Sequence, residues 1–490
     1  MNKLVIYLLL LLVLVPPYTF MLGRDMTASD DFHFKNWSYV FMKEFEAKNY
    51  DKLYVSIQPG VLTLYSNIIG FKSLYFLKDK LGLIPQTGKD FELLLNTFHK
   101  LPKVLTSLGI ILFIYRKLSK ITKPKFAFLV VVLLALEPLI LGHARVIQTD
   151  ALPMFIALLT LLILYDHRLK KPSMYAIVYI GVLSALCVLE KSLYFTLFIV
   201  LVAEITTNIF SSAKKWHHVQ ELVLYVCTFF ITLVLLFPAF WGNFSFTLYR
   251  LTIGSFIFGV QGLDTEAFTY AKTQHLHDFF YYFRFLLNKV SAEIWVGLLL
   301  FTLNIKTLRK SFNKHQLTFL AFPLLSFSVL LIAEKKLGRY TILIFPYLIL
   351  LASLGYYKLV EKRFIIIIVI FISVKLAQLG FLFPDFLMYK NPLSFDQGFS
   401  NTAEAWGSGG KKLGDYLTKT YGVNTVLYTA DYRFLYLYYA GEVLSKDALT
   451  CASVYDFIIT TSPAQTVCNK KLKVIDTYAA HKDLNFYILK

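Results

Sequence analysis

The chain has 490 residues, of which 57% are hydrophobic and 17% aromatic, and it carries a formal net charge of +19. This apolar content lies in long runs, which excludes an ordinary water-soluble protein and is typical of polytopic membrane proteins. The positive charge does not indicate a nucleic-acid partner, because the basic residues lie at the ends of the apolar runs rather than in one soluble patch.

An apolar run of about 20 residues can cross a bilayer as a helix, and the sequence contains roughly eleven such runs. In chain order they lie near 3–22, 98–115, 126–142, 150–165, 174–189, 192–210, 219–240, 291–303, 317–333, 341–357 and 364–381. The first run could be a cleaved signal peptide, but no small-residue cleavage site follows it. A retained signal-anchor helix is therefore predicted.

The linkers between the runs alternate in composition. Lys and Arg concentrate after every second run, in the stretches 116–125, 168–171, 214–215, 306–314 and 358–363. By the positive-inside rule these stretches are cytoplasmic, which also places the N-terminus inside and the intervening loops outside. The polar clusters that could perform chemistry all fall in the second set of linkers, so the sequence predicts one functional face.

The chain divides into two predicted domains. Residues 1–383 form a membrane domain with long outer loops at 23–97 and 242–290, and residues 384–490 follow as a soluble, extracytoplasmic tail. In the tail the hydrophobic period switches between helical and strand-like, which predicts a small α/β domain. Its helices are predicted at 402–419 and 431–440, and its strands at 425–429, 456–460, 472–477 and 485–489. The predicted fold is thus an all-α polytopic membrane protein with a small C-terminal α/β domain.

The four cysteines predict neither a metal nor a cofactor. Cys451 and Cys468 lie in the outward tail, where a disulfide is permitted, but the sequence does not show their separation. The Cys and His spacings do not resemble a zinc site.

Asp30 and Asp31 directly follow the first helix, at the predicted outer surface of the membrane. A carboxylate in this place can take a proton from an acceptor hydroxyl or amine. The alternative is a solvated acidic pair beside a helix end. The aromatic residues Phe32, Phe34 and Trp37 favour a packed loop and thereby a functional one.

His143, Arg145 and Asp150 occupy the short outer turn between the third and fourth runs. Charged groups at the membrane edge are costly and usually functional. Arg145 could hold a phosphate through paired hydrogen bonds, or it could form a structural bridge to Asp150.

Further cations fall on the same predicted face, at Lys191, Lys289 and Arg339. Several cations beside a membrane, with a carboxylate nearby, suit a lipid-linked phosphate. Each cation taken singly could also be an ordinary side chain that reaches from the membrane to the interface.

Six stretches together carry a resemblance that extends over nearly the full length of the chain. They are, in order, Ser29-Asp30-Asp31-Phe32; Gln58-Pro59-Gly60-Val61; Leu136-Glu137-Pro138 through His143-Ala144-Arg145 to Thr149-Asp150; Glu190-Lys191-Ser192; Lys335-Lys336-Leu337-Gly338-Arg339-Tyr340; and Asn391-Pro392-Leu393 with Ala405-Trp406-Gly407. On these motifs the chain resembles the GT-C superfamily of membrane glycosyltransferases. It is most similar to the bacterial branch of the dolichyl-phosphate-mannose protein mannosyltransferases (glycosyltransferase family 39), with the lipid A aminoarabinose transferases as cousins.

The chain departs from the family pattern at several positions. The family usually has Asp-Glu where this chain has Asp30-Asp31, His in place of Gln58, and Asp in place of Glu137. The loop with His275 resembles a family segment in which Pro stands in place of Asp278. These changes keep the carboxylate chemistry of the first loop and put fine substrate selection in doubt.

The resemblance implies an inverting transferase that moves a sugar from a polyprenyl phosphate to a protein, lipid or cell-envelope acceptor on the outer face of the membrane. It implies that Asp30 is the base and that Asp31 is its neighbour or a sugar ligand. It also implies that the donor phosphate is bound by four cations, Arg145, Lys191, Lys289 and Arg339. The residues that it implies for sugar binding or for ordering the site are His143, Asp150, His275 and Tyr340.

The sequence is also compatible with two other classes of protein. A polytopic lipid or sugar transporter often shows internal repeats or broken helices, and the sequence displays neither convincingly. A non-catalytic envelope assembly protein would use the tail as its binding module.

Overall fold

The computed structural model describes most of the membrane domain and parts of the tail. The described residues are 3–24, 29–56, 58–82, 89–169, 173–255, 257, 279–305, 314–333, 336–394, 410–422, 424, 426–429, 435, 439, 442–445, 457–460, 466–467, 470–471, 474–481 and 484–489.

The described part of the membrane domain is helical throughout. Its α-helices, in chain order, are α1 Lys3–Thr19, α2 Ser29–Glu46, α3 Val61–Asp79, α4 Lys89–Ile121, α5 Pro124–Ala135, α6 Pro138–Arg145, α7 Ala151–Leu169, α8 Met174–Glu190, α9 Phe195–Ser211, α10 Lys215–Leu236, α11 Ala239–Gly242, α12 Phe244–Tyr249, α13 Tyr281–Lys289, α14 Ala292–Leu303, α15 Lys314–Ile332 and α16 Phe345–Leu382. Short 3-10 turns lie at Tyr50–Lys52, Ser192–Tyr194, Gly338–Ile344 and Phe386–Met388, and a π-helical turn at Arg250–Gly254.

Each of the predicted apolar runs overlaps one of these helices or helix pairs, and the last two, 341–357 and 364–381, both fall largely on α16. Among the described residues, five segments are long and apolar enough to cross a membrane: Ala151–Leu169, Ser192–Ser211, Lys215–Leu236, Gly338–Tyr357 and Arg363–Leu382. Bent pairs and three shorter apolar helices provide further candidates. The predicted polytopic all-α architecture is confirmed, whereas the number of crossings stays a prediction.

Two helix breaks were not anticipated from the sequence. One lies within the run 126–142, and the other separates α13, in the predicted outer loop 242–290, from α14 in the run 291–303. α5 and α6 meet at 63°, and α13 and α14 meet at 107°. At the first break Pro138 is the first residue of α6, and the residue before a proline is disfavoured in helical conformation. Glu137 accordingly has extended backbone angles, φ −64° and ψ 121°. A third irregularity divides α16 at Arg363, whose φ of −132° and ψ of 45° are not helical.

The helices differ in how much of their surface is covered. In Ala151–Leu169, 72% of the residues are buried inside the protein, against 28% in Lys215–Leu236 and in Arg363–Leu382. Ala151–Leu169 is therefore central in the helix array. Lys215–Leu236 and Arg363–Leu382 present apolar side chains outward, as helices in contact with lipid do.

Four of the basic linkers lie at one end of the helix array as far as the structure describes them, and most of the fifth, 306–314, lies outside the described residues. Lys117 pairs with Asp166 at 3.3 Å, and the Lys125 ammonium lies 5.5 Å from the centre of the Phe364 ring. Arg168 at the end of α7 binds carboxylates from α9 and α10. This clustering agrees with a common cytoplasmic face, but which side faces the cytoplasm stays a prediction.

The tail contains the predicted α/β unit. Helix α17 is Gly410–Tyr421, and the strands are β1 Val426–Thr429, β2 Glu442–Ser445, β3 Phe457–Thr460, β4 Thr466–Val467, β5 Lys470–Lys471, β6 Val474–His481 and β7 Leu484–Leu489. The main sheet has the order β2-β1-β3-β7-β6; β1 pairs in parallel with β2 and β3, and β7 pairs antiparallel with β3 and β6.

All four predicted strands are present, as β1, β3, β6 and β7, and the sequence missed β2, β4 and β5. Most of the predicted helix 431–440 and the two tail cysteines lie outside the described residues. The start of the tail contacts the membrane domain, since Lys289 donates to the Leu387 carbonyl at 2.6 Å. The α/β unit packs on the same segment of the tail, where Met388 lies against Leu413 and Leu417 and Lys412 lies 3.4 Å from Asp385. The domain boundary at 383–384 stays a prediction.

Candidate active site

Asp30 and Arg339 form an ion pair that reaches the protein surface. Asp30 lies in the first turn of α2, where a carboxylate is favoured by the helix dipole. Arg339 lies in the Gly338–Ile344 turn, and its Nη1 donates to Oδ2 of Asp30 at 2.6 Å. The Asp30 side chain is 26% exposed and that of Arg339 is 11% exposed. This pair therefore joins a predicted base to a predicted phosphate ligand.

A second, buried pair lies beside the first. Lys191, an extended residue between α8 and the next turn, donates to Asp150 at the start of α7. The Lys191 ammonium also lies 4.3 Å from the centre of the Tyr340 ring, and the Arg339 guanidinium lies 6.0 Å from the same centre. Burial lowers the pKa of Lys191, and the Asp150 carboxylate opposes that shift. Tyr340 thus brings two of the predicted phosphate-binding cations to one aromatic ring.

Asp31 has different surroundings from its neighbour. Its side chain has no exposed surface. The Ile147 backbone N–H donates to its Oδ1 at 2.6 Å, and the Lys100 ammonium lies 3.3 Å from its Oδ2. The two predicted catalytic acids therefore differ. Asp30 is partly exposed, whereas Asp31 is buried and links α2 to α4 and to the turn after α6.

Lys100 and Lys103 are buried residues of this region that the sequence analysis missed. Lys103 donates to the carbonyl oxygens of His143, Val146 and Gln148, at 3.3, 2.7 and 2.5 Å. The sequence did contain a signal for them, because the two lysines lie one helical turn apart at the predicted outer end of the run 98–115. Positive charge is expected mainly at the inner ends of membrane helices, so lysines in this place are unusual.

His143 and Arg145 are both buried at the end of α6. Nδ1 of His143 accepts a hydrogen bond from the Gln148 side-chain amide. The Arg145 guanidinium donates to the carbonyl oxygens of Pro17 and, at 2.8 Å, Phe20. In this structure Arg145 therefore anchors the end of α1, and its predicted role at a phosphate is not tested.

Lys289 also binds a backbone carbonyl. Its ammonium is fully buried and donates to Leu387 at 2.6 Å. The adjacent Asn288 accepts from the backbone N–H of Asn391 at 2.6 Å and from the Ser394 hydroxyl at 2.7 Å. The Asn391-Pro392-Leu393 motif is thus fastened beside Lys289, whose role as a phosphate ligand likewise stays a prediction.

The motif residues Gln58-Pro59-Gly60 and Glu190 meet at the start of α3. Glu190 accepts from the Thr63 backbone N–H at 3.1 Å and from the Thr63 hydroxyl, and the Gly60 N–H donates to the Glu190 carbonyl at 3.2 Å. Gly60 has a φ of 61°, and a Cβ there would lie 2.6 Å from the Phe34 ring. Only glycine fits this contact. Glu190 therefore holds α3 while its neighbour Lys191 faces Asp150.

His275 and Lys335 lie outside the described residues. Among the residues that the structure does describe, no group of three or more His, Cys, Asp or Glu side chains is placed to hold a metal ion.

The sequence matches no protein-family model and no curated protein, but the fold matches solved structures. One is ArnT from Cupriavidus metallidurans bound to undecaprenyl phosphate, with a TM-score of 0.55 and 12% identity over 100% of this chain and 98% of that chain. Another is the same protein in the apo state, with a TM-score of 0.53 and 12% identity over 90% and 85% of the two chains.

ArnT is an aminoarabinose transferase with the GT-C fold. The match extends over the whole of this chain and confirms the predicted GT-C resemblance as a likeness of fold. This chain therefore shares the polytopic fold of ArnT.

Proposed function

We propose that this protein is a membrane glycosyltransferase that moves a sugar from a polyprenyl phosphate to an acceptor, with inversion at the anomeric carbon. The observation that carries the proposal is the partly exposed Asp30 carboxylate beside Arg339 and Lys191. A base and two cations at one edge of the helix array match the needs of this reaction. The ArnT structure holds undecaprenyl phosphate, which supports a lipid-linked phosphate as the ligand here.

The proposed reaction exchanges one bond for another. An acceptor hydroxyl or amine attacks the anomeric carbon from the face opposite the phosphate, a new glycosidic bond forms, and the bond from the anomeric carbon to the phosphate oxygen breaks. Both electrons of the broken bond leave with the polyprenyl phosphate. Asp30 receives the proton that the acceptor loses.

The leaving group explains why one base and two cations suit the proposed reaction. A phosphate leaves as an anion and needs charge stabilisation more than protonation. One base with several cations therefore suffices, in contrast to the two carboxylates of a typical glycosidase. Arg339 and Lys191 supply that charge in the proposal. Asp150 orients Lys191, and Tyr340 lies between the two cations.

The proposed orientation places this site outside the cell. The N-terminus and the basic linkers then face the cytoplasm, and the tail faces outward. A hexose or pentose donor is compatible with the site. The acceptor can be a protein, a lipid or an envelope glycan.

The broken helices do not favour a transporter. In transporters the broken ends of helices line a cavity and bind substrate. Here the two breaks contact each other. Ser291, between α13 and α14, donates to Glu137, between α5 and α6, at 2.6 Å. The breaks are closed by protein groups, which leaves the open Asp30 edge as the better candidate for the binding site.

The test is transfer by the purified protein in nanodiscs. A radiolabelled polyprenyl-phosphate sugar is supplied together with an envelope extract as acceptor, and the labelled product and the released lipid phosphate are both measured. The Asp30→Asn variant serves as the control for the reaction at this site. Intact donor after prolonged incubation with several sugars and extracts would contradict the proposal, as would equal release by the variant.

A further inference from the structure

Arg339 and Asp30 each have a role in the proposed reaction that their mutual contact blocks. Oδ2 of Asp30 accepts the Nη1 hydrogen of Arg339 at 2.6 Å, so this oxygen is occupied when an acceptor proton must be taken. The same N–H points at a carboxylate rather than at a phosphate. One donor of Arg339 and one acceptor of Asp30 are therefore committed to each other.

This pair is also the most accessible ion pair of the described site. The Lys191–Asp150 side chains are 4% and 2% exposed, and the Lys100–Asp31 side chains 1% and 0%. The corresponding values for Asp30 and Arg339 are 26% and 11%. A ligand that arrives from the surface meets Asp30 and Arg339 first. A partly exposed pair is also held less strongly than a buried one, because solvent competes for both partners.

The surrounding backbone permits the side chain of Arg339 to move while the chain itself stays in place. A Cβ at Gly338 would lie 2.0 Å from the Phe285 ring, so the turn packs tightly against α13. On the other side Tyr340 contacts Lys191 at 4.3 Å. The guanidinium lies at the end of a long side chain, so rotation about the side-chain bonds can carry it away from Asp30 while the backbone stays in place.

We propose an exchange of partners at Arg339, in which the donor phosphate replaces Asp30. The phosphate takes the guanidinium as it binds, and this releases the Asp30 carboxylate to accept the acceptor proton. A guanidinium can hold a phosphate through two parallel hydrogen bonds, which makes it a better partner for this anion than for a carboxylate that is held through one nitrogen. Base activation then depends on donor binding. This inference rests on the proposed function.

The exchange has a consequence that distinguishes it from a merely structural ion pair. If Asp30 competes with the phosphate, its charge weakens phosphate binding, and the two effects are reciprocal. The Asp30→Asn variant should therefore bind undecaprenyl phosphate more tightly than the wild-type chain. Coupling energies of this kind typically change affinity by about 5- to 150-fold, and we expect roughly tenfold here, since the pair is partly solvated.

The experiment measures the dissociation constant of undecaprenyl phosphate by titration of the full chain in detergent micelles at low salt. Four proteins form a cycle: wild type, Asp30→Asn, Arg339→Gln and the double variant. Asp30→Asn should tighten binding, Arg339→Gln should weaken it, and the double variant should bind like Arg339→Gln. Asp31→Asn is the matched control, since it removes the same charge at the adjacent residue without touching Arg339 and should not tighten binding.

Asp30→Ser removes the charge by a second route in case Asn alters folding, and thermal unfolding midpoints establish that each variant is folded. Unchanged or weaker binding by both folded Asp30 variants would overturn the exchange while leaving the proposed function intact. Equal tightening by Asp31→Asn would also overturn it, because the effect would then be general electrostatics. A wild-type chain that neither binds the lipid phosphate nor transfers sugar would instead contradict the proposed function, and the exchange with it.

Discussion

Lys375 donates a 2.6 Å hydrogen bond to Glu137 across 238 positions of the sequence, and neither side chain has any exposed surface. The same ammonium donates to the Ser291 hydroxyl at 2.7 Å and lies 2.6 Å from the Glu293 carboxylate. Glu137 is at the break between α5 and α6, and Ser291 is at the break between α13 and α14. The lysine of α16 therefore ties two helix breaks together.

We predict that Lys375→Met lowers the stability of the protein strongly. The change leaves the buried Glu137 carboxylate without its cation, and removal of one partner of a buried pair costs about 3–5 kcal/mol. The double variant Glu137→Gln/Lys375→Met should recover part of the loss, because the fully buried Glu137 charge is removed and only Glu293, which is 11% exposed, still lacks its lysine. Thermal unfolding midpoints in detergent measure both effects. Strictly additive losses would mean that the two residues do not act as a pair.

A second prediction separates the two adjacent acids. Asp30→Asn should lower turnover by about two orders of magnitude or more at nearly unchanged thermal stability, because it removes a partly exposed base. Asp31→Asn should instead lower the unfolding midpoint, since it leaves Lys100 buried beside a neutral amide, at a cost of about 3 kcal/mol.

The control for this prediction is Asp31→Asn/Lys100→Gln, which should regain part of the stability. A stable but inactive Asp31→Asn variant, alongside an active Asp30→Asn variant, would move the base by one residue.

Arg145 provides a third prediction. Arg145→Ala should lower the unfolding midpoint, because the carbonyl oxygens of Pro17 and Phe20 lose a charged donor, and such a hydrogen bond contributes about 1.5–3 kcal/mol. Arg145→Lys should rescue only part of the loss, since lysine lacks the planar fork that reaches both oxygens. The affinity for undecaprenyl phosphate is measured on the same samples. A fully stable Arg145→Ala variant that no longer binds the lipid would identify Arg145 as a phosphate ligand instead.

A fourth prediction concerns orientation and uses a background in which the four native cysteines are replaced by serine. Lys419→Cys, on the exposed side of α17, should react with a membrane-impermeant thiol reagent in intact cells. Ala213→Cys, exposed between α9 and α10, should react only after permeabilisation. The reverse pattern would invert the topology and place the candidate site in the cytoplasm.

The apolar runs determined where the membrane helices lie, because a helix that crosses lipid needs a nearly continuous apolar sequence and satisfies its own backbone hydrogen bonds. The alternation of basic linkers likewise predicted which loops share a face, and Lys117, Lys125 and Arg168 do meet at one end. The strand β2 at Glu442–Ser445 was missed, because four residues with a charged first position give little strand signal in the sequence. The break at Pro138 was visible as a proline, but its closure by Ser291 and Lys375 was not.

The sequence by itself determined that Asp30 and Asp31 follow the first apolar run, and it predicted an outer loop there rather than the helix α2 that the structure shows. Successive side chains on a helix point about 100° apart, so the two carboxylates face different surroundings. Only the tertiary structure decided which of them faces outward. Lys100, Ile147 and Arg339 come from positions far along the chain, and a contact between such positions depends on how the helices pack rather than on any local pattern. Packing buried Asp31 against Lys100 and left Asp30 open beside Arg339.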